Sequence, residues 1–155
     1  MAAVLSDVLS PEHVTLALRA ETQDDALREV IATMQGEGKL RDPERFLREV
    51  RAREKTHTTY MGNGISFPHA RTDLVQRIIF GAGRSEGGIP FGPEGERVHL
   101  LFVIAVPKRL VNDYLVCVGA LARVVNEEKT REALRTCATP DEFVGLIHEA
   151  ALLLE

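Results

Sequence analysis

Residues 98–106 read VHLLFVIAV, a run whose one polar side chain is His99, and Pro107 follows at once. So short and so apolar a run leaves no face for water, which is the pattern of a strand covered on both sides. Proline ends it, because it has no N–H with which to continue a ladder. Upstream, Arg77–Gly83 (RIIFGAG) reads as a second strand and Gly87–Glu96 (GGIPFGPEGE) as a turn-rich loop. Downstream, Val111, Tyr114, Leu115, Val118, Leu121, Ala122 and Val125 fall into one apolar stripe at helical spacing. A shorter helix is expected over Glu127–Cys137. Thr139-Pro140-Asp141-Glu142 is a capping box with proline in the first turn, opening a final helix with Phe143, Leu146, Ile147 and Ala150 on its apolar side.

Toward the N-terminus, Asp42-Pro43 opens a helix with Phe46, Leu47 and Val50 on its apolar side. Before it, Thr22 caps a helix bearing Ala26, Leu27, Val30, Ile31 and Met34, stopped by Gly36 and Gly38. VTLAL (Val14–Leu18) is expected as a short strand and Leu5–Leu9 as a short helix. Helices that alternate with, and then follow, a buried sheet make an α/β or α+β fold with helices on both faces. One domain over residues 1–155 suits the length.

Composition narrows the function classes. The chain is 45% hydrophobic and 27% charged, with net charge −4, as in ordinary globular proteins. Cys117 and Cys137 make neither a disulfide framework nor a four-ligand zinc site. No apolar run approaches the ~20 residues of a membrane span, so membrane insertion is not expected. The opening MAAVLSDVLS has no basic n-region, and a cytoplasmic location follows as the expectation. Arg41–Lys55 is rich in arginine, but Asp42, Glu44, Glu49 and Glu54 balance most of it, so it reads as a solvated mixed-charge helix. An acidic chain without tryptophan is not expected to bind nucleic acid.

The chemistry-bearing stretch is Thr58–Arg71, TTYMGNGISFPHAR. Gly62, Gly64 and Pro68 exclude a helix. Pro68 forces Phe67 toward extended backbone, which places His69 on a rigid strand-like piece. Gly62 and Gly64 admit positive φ, so nearby amides can converge on an anion. Arg53 lies seven residues after Phe46, nearly on the buried side of its helix and at its C-terminal end. A histidine, amide donors and an arginine fit phosphoryl chemistry: a neutral imidazole attacks phosphorus, and the donors stabilise charge on the equatorial oxygens.

The run Arg53–Arg71 closely resembles the active-site signature of the fructose/mannitol/nitrogen-type enzyme IIA domains of the bacterial phosphotransferase system. The matching residues are Arg53-Glu54, Thr59, Gly62-Asn63-Gly64, Ile65-Ser66-Phe67 and Pro68-His69, and the resemblance covers almost the whole chain. It implies a mixed β-sheet flanked by helices. It implies a phosphoryl carrier in which His69 accepts phosphate from the phosphocarrier HPr and passes it to a IIB partner or uses it as a regulatory signal. Arg53 matches the arginine at the phosphorylation site, and Thr59, Asn63 and Gly64 match the loop that shapes it. No metal or organic cofactor is implied.

Two positions depart from the family pattern. Tyr114-Leu115 stands where the family usually carries a His-Leu pair with a second active-site histidine. Tyrosine donates a hydrogen bond but carries no positive charge near neutral pH. This opens an alternative reading, a IIA-like regulatory binding module with impaired or absent phosphotransfer. His99 stands where an acidic residue is common and is a candidate substitute for the missing histidine; Arg71 is a candidate peripheral contact. Phe67, Ile89 and Phe91 are expected to form an apolar partner-facing patch around His69. His13 and His148 are expected at the surface, and Cys117 and Cys137 as small buried hydrophobes.

Overall fold

The run at residues 98–106 lies within β6 (Arg97–Pro107), the central strand of a six-stranded mixed sheet. The computed structural model describes residues 5, 8–36 and 39–153. On one side β6 pairs antiparallel with β5 (Ile79–Pro90), which carries β1 (Val14–Thr15) parallel at its outer edge. On its other side lie two short parallel strands in tandem, β3 (Ile65–Ser66) and β4 (His69–Thr72). β2 (Tyr60–Gly62) pairs antiparallel with β3.

Along β6, Leu100, Phe102, Ile104 and Val106 enter one buried layer, while Leu101, Val103 and Ala105 enter another. This is the physical reason for the unbroken apolar run. The first layer is closed by α3 (Val111–Val125), α4 (Glu128–Thr136) and α5 (Pro140–Leu153). The second is closed by α1 (Gln23–Ala32) and α2 (Pro43–Thr56). The expected single domain with helices on both faces of a mixed sheet is the fold observed.

The caps follow the sequence. Thr22 Oγ1 accepts from Asp25 N at 3.2 Å, and the Asp42 carboxylate accepts from Arg45 N at 3.1 Å. Thr139 Oγ1 accepts from Glu142 N at 3.1 Å, while the Glu142 carboxylate reaches back to Ala138 N. Close packing of α1 on β5 requires Gly83, where an added Cβ would sit 2.7 Å from Val30 Cγ2 and 2.8 Å from Leu18 Cδ1.

Several expectations are corrected. β1 stops at Thr15, because Arg84 Nε takes the Leu16 carbonyl at 3.0 Å and only Leu18 N returns to the Arg84 carbonyl. Gly87–Pro90 is strand, not loop: β5 bulges between Arg84 and Ile89 and rejoins β6, leaving a turn in which Phe91 N and Gly92 N both donate to Glu96 O. The inward face of α3 is rotated from the expected stripe. Leu115 is 59% exposed, whereas Cys117, Ala120 and Val124 are buried. Small Cys117 and Ala120 bring the helix close to the sheet, a contribution that counting large side chains underrates. Leu5 and Val8 are helical, but residues 6 and 7 lie outside the described residues, as does Gly38.

His13 is not at the surface. It is buried, with Nδ1 3.1 Å from the Phe80 carbonyl and Nε2 without a hydrogen-bond partner among the described residues. His148 is half-buried, and its Nε2 has no hydrogen-bond partner among the described residues. Burial pushes the His13 pKa below its ordinary value, and Lys39 pushes the same way. The unfolded chain then binds the extra proton more readily than the folded one, so stability falls as pH drops below about 6.5. Urea midpoints measured between pH 7.5 and 5.5 are expected to decline with acidity, and His13→Asn, which keeps a donor for Phe80, is expected to flatten the slope. An unchanged slope in that variant would clear His13 of the effect.

Candidate active site

The site begins with a hairpin. Asn63 and Gly64 join β2 to β3 with φ of 56° and 77°, the paired positive values that an Asn-Gly hairpin turn demands. The chain then runs beside β6 twice. Ile65 and Ser66 pair with Leu100 and Leu101, and His69 resumes at Ile104. The break falls at Pro68, which has no N–H to offer; its carbonyl still accepts from Ile104 N at 2.9 Å. His69 is therefore the first residue of a rigid strand. It is half-buried, Ala70 and Thr72 point into the protein, and Arg71 is exposed.

His69 Nδ1 lies 3.1 Å from the Phe67 carbonyl. A carbonyl only accepts, so Nδ1 carries the proton and Nε2 keeps a free lone pair. Burial holds the imidazole pKa below its ordinary value; the Phe67 bond opposes this, Arg53 reinforces it and Glu54 opposes it. The ring is thus predominantly neutral at pH 7 and nucleophilic. The Tyr114 ring is tilted against it, with centroids 5.0 Å apart and planes at 38°. Burial raises the phenol's pKa, so the hydroxyl remains a donor. Arg53, in the last turn of α2, acts electrostatically on both rings, and its buried Nη1 has no hydrogen-bond partner among the described residues. A cationic donor without an acceptor, beside a neutral imidazole and a phenol, is an arrangement suited to an anion.

The structure thus brings His69, Arg53 and Tyr114 together. Thr59 stands behind them, its N and Oγ1 both spent on the Glu54 carboxylate at 2.9 and 2.7 Å. Asn63 is exposed at the turn. The charges that act on His69 are those of Arg53 and Glu54, and Arg71 is exposed on β4. His99 lies elsewhere: its Nδ1 is 3.0 Å from the Ser85 carbonyl in the β5 bulge, and its Cδ2 would be 3.2 Å from a Cβ on Gly64. It buttresses the hairpin turn instead of facing His69. The expected apolar patch is also corrected. Phe67, Ile89 and Phe91 are buried, whereas Met61 on β2 and Leu115, next to Tyr114 in α3, are exposed. Phe67 is interior because it packs edge-on against Phe102 at 5.6 Å. Glu54 enters the sequence reading as a balancing charge and as part of the signature; its spacing of four and five residues from Thr58 and Thr59 is the local signal for its role.

A family model described as "Phosphoenolpyruvate-dependent sugar phosphotransferase system, EIIA 2" matches residues 7–150. The chain belongs to this family. This EIIA protein is 31% identical over 131 residues to the fructose-specific EIIA component of Haloferax volcanii, covering 84% of this chain and 85% of that one. It is 25% identical over 146 residues to the fructose-specific EIIABC component of Bacillus subtilis; that match covers 94% of this chain and spans only 23% of the larger protein. Its fold is that of the nitrogen regulatory protein IIA-Ntr of Neisseria meningitidis, with TM-score 0.85 at 23% identity over 93% of this chain and 99% of that one. The IIA mannitol enzyme of Escherichia coli, solved in complex with phosphorylated IIB, gives TM-score 0.78 at 24% identity over 91% and 97% of the two chains. Among the described residues, no helix of this EIIA protein is long and apolar enough to cross a membrane.

Proposed function

We propose that this EIIA protein is a phosphoryl carrier in which His69 Nε2 takes a phosphoryl group from an HPr-type donor and passes it to a IIB partner or a regulated target. The observation that carries the reading is the bond from His69 Nδ1 to the Phe67 carbonyl. It leaves Nε2 as the only ring nitrogen with a lone pair. In the transfer, the Nε2 lone pair forms the N–P bond as the bond from phosphorus to the donor breaks. No proton leaves His69: Nδ1–H stays in place, and the Phe67 carbonyl stabilises the positive charge that develops on the ring. Arg53 Nη1 and the Tyr114 hydroxyl stand ready for the equatorial oxygens. Onward transfer is the same step reversed. Thr59, Asn63 and Gly64 shape the loop without touching the phosphoryl group, and neither a metal nor an organic cofactor takes part.

The test is incubation with phosphoenolpyruvate, enzyme I and HPr, followed by intact mass. Wild type is expected to gain one phosphoryl group, and His69→Ala none. An adduct surviving in His69→Ala rejects the assignment. No adduct on wild type, with partner binding retained, supports the regulatory binding module instead.

The exposed apolar side chains Met61, on β2, and Leu115, next to Tyr114 in α3, at 53% and 59%, suit a face that meets the donor and acceptor proteins in turn. Leu115→Asp is expected to slow transfer from HPr by roughly tenfold at limiting donor and to leave the melting temperature unchanged. An unaltered rate at low donor concentration would remove Leu115 from the docking face.

A further inference from the structure

Nothing on His69 itself decides which of its nitrogens is free. A chain of hydrogen bonds runs to its ring from the neighbouring helix. The Glu54 carboxylate accepts from Thr59 N at 2.9 Å, Thr59 Oγ1 at 2.7 Å and Thr58 Oγ1 at 3.2 Å. Thr58 Oγ1 accepts in turn from Tyr60 N at 3.2 Å, so the entry to β2 is tied to the same carboxylate. The Thr59 carbonyl accepts from Phe67 N at 3.2 Å. The Phe67 carbonyl holds His69 Nδ1 at 3.1 Å.

We infer that Glu54 is the positioning residue of the phosphorylation site: by fixing Thr59, and through Thr59 the Phe67 peptide, it sets the tautomer and orientation of the His69 imidazole. The inference rests on the phosphoryl-carrier reading for its purpose, though not for its geometry. Two features make Glu54 the anchor. Its bonds are charge-assisted and gather several donors of one short segment, which neutral partners would hold less firmly. Thr59 is buried, so its N–H has no water to turn to if the carboxylate is removed. Glu54 also follows Arg53 directly in α2, so one helix end fixes both the guanidinium and the loop that aims the nucleophile. Its negative charge further offsets the effect of Arg53 on the imidazole.

The experiment is long-range nitrogen–proton NMR of the His69 ring in unphosphorylated protein, paired with phosphorylation rates from HPr, for wild type, Glu54→Gln and Glu54→Ala. Wild type is expected to show a single Nδ1–H tautomer. Glu54→Ala is expected to show a mixture with the Nε2–H form and phosphorylation slowed by about tenfold to hundredfold, the scale of a misplaced reacting group. Glu54→Gln keeps an acceptor oxygen for Thr59 and is expected to fall between them in tautomer, with a His69 pKa below that of wild type. The inference is overturned if wild type carries the proton on Nε2, or if folded Glu54→Ala keeps the wild-type tautomer. Should Glu54→Ala fail to fold, a wild-type tautomer and pKa in Glu54→Gln overturn it equally. The tautomer is read without phosphate. A shifted tautomer in the variants together with an unphosphorylated wild type would therefore reject the carrier reading and leave the role of Glu54 standing.

Discussion

Arg53→Met is expected to slow phosphorylation of His69 by about 10²–10³-fold at saturating donor, the usual cost of deleting one aimed donor at a developing anion. The magnitude follows from the state of the guanidinium. Arg53 Nη1 is buried and has no hydrogen-bond partner among the described residues, so the site holds a desolvated donor nitrogen on a cationic side chain. A migrating phosphoryl group supplies the missing acceptor, and the bond is charge-assisted in a partly dry site. Tyr114 cannot make up the loss, because its burial keeps it a neutral donor. A second effect has the same sign. Arg53 helps hold the His69 pKa down, so its removal lets more of the ring protonate and blocks Nε2 further as pH falls toward 6. Arg53→Lys keeps the charge but loses the planar fork and is expected to land between the two. Rates across pH 6–8 check both parts. An unchanged rate in Arg53→Met, in a protein that melts normally, would place the phosphoryl group away from this side chain.

How much of this was legible beforehand depended on whether the deciding interaction was local. The caps at Thr22, Asp42 and Thr139 were readable because a cap bonds an amide three residues away. The doubly covered strand was readable because both layers leave their mark on one run, Val98–Val106. Pro68 marked the break before His69 by its own chemistry. The Asn63-Gly64 hairpin is also written locally, in the dipeptide that favours positive φ at two successive positions; the sequence reading assigns positive φ to Gly62 and Gly64 but not to Asn63. What stayed hidden was settled at long range. The end of β1 depends on the Arg84 side chain taking the Leu16 carbonyl from 68 positions away. The burial of His13 depends on the Phe80 carbonyl. The patch has the same origin: Phe67, Ile89 and Phe91 look exposed in a glycine-rich neighbourhood, but Phe67 packs on Phe102 in one core layer and Ile89 and Phe91 enter the layer under α1 and α2. His99, a candidate substitute for the missing histidine, shows the same dependence on distant partners, since its ring packs by the Gly64 turn and meets the Ser85 carbonyl.

Phe102→Ala is expected to cost about 3–5 kcal/mol, the range for truncating a fully buried phenylalanine. Against a total of roughly 5–15 kcal/mol for a domain, that is a large share. Phe102 is completely buried in the middle of β6, edge-on to Phe67 at 5.6 Å and tilted to Phe143 of α5 at 6.1 Å. The cavity would therefore open between the sheet and the helix that closes its layer. The loss should also reach the site by a short route. Phe67 would lose the ring that fixes its side chain, and the Phe67 carbonyl is what holds the His69 imidazole. Urea unfolding measures the first effect as a lower midpoint at unchanged slope. Phosphorylation rates at low temperature, where the variant is still folded, measure the second. Ile31→Ala in α1 is the matched control: Ile31 is equally interior but packs in the opposite layer, so about 2–5 kcal/mol is lost there with no expected change in rate. Equal rates for the two variants would show that the aim of His69 is set by Glu54 and Thr59 alone, without the aromatic stack beneath it.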